Sequence, residues 1–240
     1  MGTPNFGDDF NPLFFSKVMD RRVRLSRRRG DIRILGMGSI LSSADGGCHV
    51  AGSGLLDPAL PPRGNAEQVV ALRGELSASK TGWRPEYLGD PAVLLPLVYD
   101  CEKKARYRFG FLPHHREAKV SSGHVPDDWL FINPAWPPLK VLESICGCER
   151  LVSRSLHGLI LADAYQIPNA WIHPLPEMTG GIFKYEDYYS TMNHAKLSAS
   201  VPLTRLGADG PALDFFVSQY RFEKPAYLAR LRNLASSFGR

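Results

Sequence analysis

The segment Ser153-Arg154-Ser155-Leu156-His157-Gly158 sets two hydroxyls, a guanidinium and an imidazole directly ahead of an apolar helical stretch. A helix start offers free backbone N–H groups and the positive end of a dipole, so an anion is favoured there. A histidine beside a bound phosphate can be held protonated and give up its proton near neutral pH. The same residues admit a plainer use, in which Ser153 or Ser155 caps the helix and His157 satisfies a core hydrogen bond. Arg73-Gly74 stands between an apolar run and a helix start. An arginine there can present a planar fork to a carboxylate or phosphate, or it can be a surface residue that closes a turn. Asn5-Phe-Gly-Asp8-Asp9 reads as a tight turn into a helix over Phe10 to Met19. Asp8 or Asp9 could act as a base for a hydroxyl, or could cap the helix. Gly36-x-Gly38-Ser39 and Gly52-Ser53-Gly54 could cradle phosphate on backbone N–H groups, although a lone Gly-rich turn is weak support. Cys146-Gly-Cys148 lacks the second pair that a tetrahedral zinc site needs, and Ser53 lacks the G-x-S-x-G frame of a hydrolase nucleophile. No metal is expected.

These residues are carried by a repeating grammar of short apolar runs that end in polar residues and lead into helices. Ile32 to Leu35, His49 to Ala51 and Val69 to Leu72 read as strands, with a short helix over Glu75 to Lys80 stopped by Gly82. Asp100 to Ala105 is a charged connector after the apolar stretch Ala92 to Val98. Beyond it, Tyr107 to Leu112 ends at Pro113-His114-His115 and Trp129 to Ile132 ends at Asn133-Pro134. A helix is expected over Pro138 to Cys146, another over Leu159 to Gln166, and a strand over Ala170 to Ile172. Short apolar runs alternating with helices argue for parallel sheets covered by helices, and ligands of such sheets bind beyond the carboxyl ends of the strands. The expected fold class is therefore α/β, with two Rossmann-like parallel-sheet domains facing a cleft. Residues 1–100 form the N-terminal domain, 101–210 the C-terminal domain, and 211–240 two C-terminal helices split at Pro225.

The chain has 240 residues and 44% hydrophobic content, which excludes a disordered protein, and no stretch approaches the ~20 apolar residues of a membrane span. Four cysteines are too few for a secreted disulfide framework, and Met1 to Pro12 has no basic-then-apolar leader. A cytoplasmic protein with free thiols is expected. The net charge of +5 is concentrated between Arg21 and Arg33, where seven arginines fall. Such a run suits a solvated face or anionic lipid headgroups; no nucleic-acid motif accompanies it, and no nucleic-acid partner is expected.

Several of these segments occur together in one order. They are Asn5-Phe-Gly-Asp-Asp-Phe-Asn-Pro12, Leu35-Gly-Met-Gly-Ser-Ile-Leu41, Val50-Ala-Gly-Ser-Gly54, Leu72-Arg-Gly-Glu-Leu-Ser77, Gly89-Asp-Pro-Ala92, Gly110-Phe-Leu-Pro-His-His115 and Ser153-Arg-Ser-Leu-His-Gly-Leu-Ile160. As an ordered set they resemble the polysaccharide pyruvyl transferase family, and Lys184 to Ser190 is similar to its exopolysaccharide members. The resemblance implies the two-domain glycosyltransferase arrangement called GT-B. It also implies transfer of pyruvate from phosphoenolpyruvate to sugar hydroxyls of a surface polysaccharide or its lipid-linked precursor, often as a ketal. No cofactor is implied; phosphoenolpyruvate is the donor substrate. The family's donor-binding arginine falls on Arg73 and its key histidine on His157. The arginine that some members carry two residues before that histidine is replaced by Ser155, with Arg154 one place earlier.

On this reading His157, Arg73 and Asp8 are catalytic. Arg154, Ser155, Leu156, Gly158 and His114 bind the donor, and Asn5, Asp9, Gly38, Ser39 and Ser53 bind the acceptor. The family also has a strand before the Asn-x-Gly-Asp turn, and only four residues precede Asn5, so either the start is late or the first sheet lacks that strand. Peripheral contact with an anionic membrane would run through Arg21 to Arg33. Two other readings stay open: a glycosyltransferase of the same shape that uses a nucleotide sugar, and a degenerate, non-catalytic member of the family.

Overall fold

The computed structural model describes residues 5–26, 28, 31–62, 64–121, 123, 125–173, 178–197, 199 and 212–238. The chain gathers into two units. One consists of Met1–Asp9, Tyr99–Pro176 and Lys196–Gln219; the other consists of Phe10–Val98, Glu177–Ala195 and Tyr220–Arg240. One passage between them falls at Val98–Tyr99, next to the charged connector. The rest of the grouping is not linear in sequence, and long-range side-chain ties join the distant segments of the second unit. Asp187 bonds to Arg73, and the Tyr227 hydroxyl donates to the carbonyls of Ala51 and Gly89.

The second of these units opens with most of helix α1 (Phe6–Met19), which begins in the other unit. Helix α1 starts four residues earlier than the sequence suggested, because the Asn5 side chain accepts from the Gly7 N–H at 3.4 Å and so caps it. The strands are β1 (Arg33–Leu35), β2 (Cys48–Ala51), β3 (Gln68–Leu72) and, after helix α2 (Glu75–Thr81), β4 (Tyr87–Leu88). They pair in parallel in the order β1-β2-β3-β4, with β1 at one edge. Val50, Leu72, Leu35 and Leu55 form the core beneath them. Gly82 ends α2 in the left-handed region at φ 71°, as the sequence signal required.

The other unit is built on β5 (Tyr107–Leu112), β6 (Leu130–Phe131), β7 (Cys148–Ser153) and β8 (Asn169–Trp171), parallel in the order β6-β5-β7-β8. Helix α3 (Ala118–Ser121) follows β5, α4 (Pro138–Cys146) precedes β7, and α5 (Leu156–Ala164) joins β7 to β8. Phe109, Phe111, Trp129, Val152 and Ile172 fill its core. Helix α5 is displaced from the expected Leu159–Gln166: Ser155 caps it early, and Gln166 at φ 59° belongs to the turn after it. The fold is thus α/β with two parallel four-stranded sheets among the described residues.

Helix α6 (Phe183–Tyr189) and helix α7 (Lys224–Leu234) belong with the β1–β4 sheet. The tail corrects one expectation. Pro225 does not split two helices but lies in the first turn of α7, where a missing N–H costs nothing. The α7 helix runs on into a 3-10 turn over Ala235–Phe238, and Pro211 lies outside the described residues.

Candidate functional site

Chemistry-bearing residues converge at the carboxyl edge of the β5–β8 sheet. Strand β7 ends at Ser153, whose hydroxyl donates to the carbonyls of Leu112 and Ser155 and accepts from the Ser155 N–H at 3.0 Å. That knot fixes the turn into α5. Ser155 then caps α5, its hydroxyl accepting from the Gly158 N–H at 3.5 Å. Gly158 has to be glycine, since a Cβ there would lie 2.6 Å from both Leu112 Cδ2 and Ser153 Oγ. The plainer capping use of Ser155 is therefore the one observed, and Leu156 is buried apolar packing.

His157 follows in the first turn of α5 and is 9% exposed. The start of α1 closes over its ring. A Cβ on Gly7 would fall 2.0 Å from His157 Nδ1, and the Phe6 ring meets the imidazole edge-on at 6.2 Å between centroids. Phe6 is itself held by its N–H, which donates to the Pro134 carbonyl after β6 at 3.1 Å. Asn5 donates to Asp8 Oδ2 at 3.2 Å, so the Asn-Phe-Gly-Asp turn and His157 form one local assembly. Asp9 continues the helix, its N–H bonded to the Asn5 carbonyl.

Arg154 and His114 complete this edge. Arg154 donates from Nη1 to Glu117 Oε2 at 2.8 Å, both side chains being 7% exposed. Its N–H donates to the Leu112 carbonyl at 3.0 Å, which locks β7 against the end of β5. His114 is buried, its ring tilted at 45° against that of His115 with 4.3 Å between centroids, and its carbonyl accepts from the Glu117 N–H.

Four expected site residues belong to the other unit: Arg73, Gly38, Ser39 and Ser53. Arg73 is fully buried. Its Nε donates to Asp187 Oδ2 at 2.9 Å, Nη2 to the Leu55 carbonyl at 2.6 Å and Nη1 to Ser39 Oγ at 2.5 Å. The open fork expected after β3 is instead an internal tie, because α6 brings a carboxylate onto it. Asp187 also accepts from the N–H and hydroxyl of Ser77 on α2. Gly74 lets α6 approach, since a Cβ there would lie 1.7 Å from the Asp187 carbonyl oxygen. Ser53 is likewise fully buried; it donates to the Gly38 carbonyl and accepts from the Ile40 N–H, so it joins two loops. Gly38 supplies that turn at φ 107°, and only Ser39 of this group is part-exposed.

Sequence reading gave no role to Gly7, Glu117 or Asp187, which position His157, Arg154 and Arg73. Glu117 lies 37 residues from its partner and Asp187 lies 114 from its own, and no local spacing signals such pairs. The cysteines carry no metal ligand set among the described residues. Cys148 donates to the Ser144 carbonyl, and burial pushes its thiol up to about 12. Arg33 departs from the expected basic face: it is buried and paired with Asp45 at 2.6 Å. Arg21, Arg22, Arg24 and Arg28 are exposed, while Arg27 and Arg29 lie outside the described residues. No helix among the described residues is long and apolar enough to cross a membrane.

Comparison with known proteins bears on the β3–β8 stretch in particular. Residues 64–173 match the family model described as polysaccharide pyruvyl transferase, a span that contains both Arg73 and His157. The succinoglycan biosynthesis protein ExoV of Rhizobium meliloti (strain 1021) is 28% identical over 236 residues, covering 92% of this chain and 72% of that protein. An uncharacterised protein of Acanthamoeba polyphaga mimivirus is 27% identical over 202 residues, covering 78% of this chain and 70% of its own length. No solved structure matches. The family model that spans β3 to β8 and the alignment to ExoV over 92% of this chain both support the polysaccharide pyruvyl transferase family, the one that the ordered motifs resemble.

Proposed function

We propose that this protein transfers pyruvate from phosphoenolpyruvate to hydroxyls of an exopolysaccharide or its lipid-linked precursor, with His157 as the proton donor. The observation that carries this reading is the imidazole held at the mouth of α5 by a glycine that leaves room for nothing larger. A residue fixed so tightly at the carboxyl edge of a parallel sheet suits proton transfer better than core packing. The family match and a relative named for succinoglycan biosynthesis support the substrate class.

The chemistry follows from the donor. An imidazolium at His157 gives its proton to the methylene carbon of phosphoenolpyruvate, and cationic character develops on the neighbouring carbon. A sugar hydroxyl adds there and loses its proton, to Asp8 or back to the imidazole. The C–O bond to phosphate then breaks, inorganic phosphate leaves, and a second sugar hydroxyl closes the ketal as it loses its own proton. Fixed positive groups favour a leaving phosphate, and Arg154 with the amino end of α5 fills that role. Arg73 acts at one remove: it holds Ser39 and the loop at Leu55 in place and does not itself grip the anion. Asn5 and Asp9 lie on the segment that packs on His157, which suits contact with an acceptor.

The exposed Arg21, Arg22, Arg24 and Arg28, with Leu25 59% exposed among them, suit peripheral contact with anionic lipid on the cytoplasmic face, where a lipid-linked acceptor would sit. The test of the function is release of phosphate from phosphoenolpyruvate that depends on an acceptor glycan. Release that depends on a nucleotide sugar instead would favour the glycosyltransferase reading. A folded protein that neither binds phosphoenolpyruvate nor releases phosphate would favour the non-catalytic one.

A further inference from the structure

A buried ion pair stands at this edge that neither the family resemblance nor the capping logic of α5 requires. The side chains of Arg154 and Glu117 are each 7% exposed and meet at 2.8 Å. Two charges so placed lose most of their hydration, and an apolar pair of equal size often serves stability as well or better. The pair is also not in the middle of a core. Arg154 is the residue after β7, Glu117 closes the turn after β5, and His157 lies in the first turn of α5. That is the edge at which an open parallel sheet binds its ligands.

We propose that Glu117 is the resident counter-ion of Arg154, which orients and neutralises the guanidinium before the donor binds and yields it to the donor's anionic groups. The inference rests on the phosphoenolpyruvate reading and adds a positioning residue to it. The guanidinium has five N–H donors, and its contact with Glu117 uses Nη1. A doubly charged enol phosphate is a stronger anionic partner than one carboxylate, so exchange is favourable in its presence. As phosphate departs with lower charge and fewer contacts than the donor, Glu117 re-forms the pair and assists release.

The sign of the effect separates this role from simple support. Glu117→Gln keeps a hydrogen-bond acceptor for Arg154 and removes the competing charge. It is expected to tighten phosphoenolpyruvate binding to the full chain by roughly fivefold or more in calorimetry, and to lower the KM for the donor. Product inhibition by inorganic phosphate strengthens in parallel, and kcat falls as release slows. Adding Arg154→Gln to Glu117→Gln cancels the gain. Unchanged or weaker binding by a folded Glu117→Gln protein overturns the inference while leaving the donor reading intact. A wild-type protein that does not bind phosphoenolpyruvate overturns both. Should Glu117→Gln not fold, wild-type protein with 15N-labelled arginine decides: donor addition is expected to move the Arg154 side-chain resonance, and a resonance unmoved at saturation refutes the exchange.

Discussion

Arg73→Ala distinguishes an internal tie from a ligand fork. The substitution removes three donated hydrogen bonds from a guanidinium with no solvent exposure, one of them to a carboxylate that is equally buried. Asp187 would keep the Ser77 N–H and hydroxyl at 2.7 and 2.6 Å but lose its cation. The Leu55 carbonyl would lose its contact with Nη2. Breaking a fully buried pair by deleting one partner costs about 3–5 kcal/mol. For a chain of this size that corresponds to a fall in melting temperature of roughly 10 °C. Differential scanning calorimetry of wild type, Arg73→Ala, Asp187→Ala and the double variant gives the answer as a cycle. The two single costs should be far from additive, since either change already breaks the same pair. If Arg73→Ala melted within about 1 kcal/mol of wild type yet lost phosphoenolpyruvate binding, the guanidinium would be a ligand contact and the reasoning from burial would be wrong.

Further outcomes follow from the same geometry. Gly7→Ala should abolish transfer with little loss of secondary structure by circular dichroism, because the new Cβ would fall 2.0 Å from His157 Nδ1 and must displace the ring. Near-normal turnover would refute the positioning of His157 by α1. Arg230 in front of Glu86 holds that carboxyl below its ordinary value of 4.5, so the folded state binds fewer protons than the unfolded one. The pair therefore contributes stability above pH 4.5 that is lost as pH falls through the folded value. Because the pair is half-exposed, Glu86→Gln should remove no more than about 1 kcal/mol of acid sensitivity in melts taken between neutral pH and pH 3. Burial raises the thiols of Cys146 and Cys148, so native protein should resist a thiol reagent at pH 8 at both positions while denatured protein titrates all four cysteines. Fast labelling of Cys148 in the native state would contradict its burial.

Much of the framework was legible because it is written in local signals. Alternation of short apolar runs with helical stretches gave the two parallel sheets, Gly82 marked the end of α2, and Pro138 marked the start of α4. The β7–α5 turn was legible for the same reason: its hydroxyls, histidine and glycine are consecutive. Arg73 shows where that reasoning stops. Its position after β3 is visible, but its partner is supplied by α6, over a hundred residues away, and only that partner decides between a fork and a tie. Glu117 was silent for a similar reason, and Gly7, although inside the Asn-Phe-Gly-Asp turn, carries no spacing code for the ring that it meets. The Pro225 boundary misled because a proline that ends one helix and a proline that begins another look alike in sequence.

The most direct measurement is turnover by His157→Gln beside binding by the same protein. With purified acceptor glycan, wild type should release phosphate from phosphoenolpyruvate and yield a pyruvylated product by mass spectrometry. His157→Gln should still bind phosphoenolpyruvate in calorimetry and form no product. A variant that turns over within about tenfold of wild type, well short of the loss expected for a missing general acid, would show that the proton comes from elsewhere.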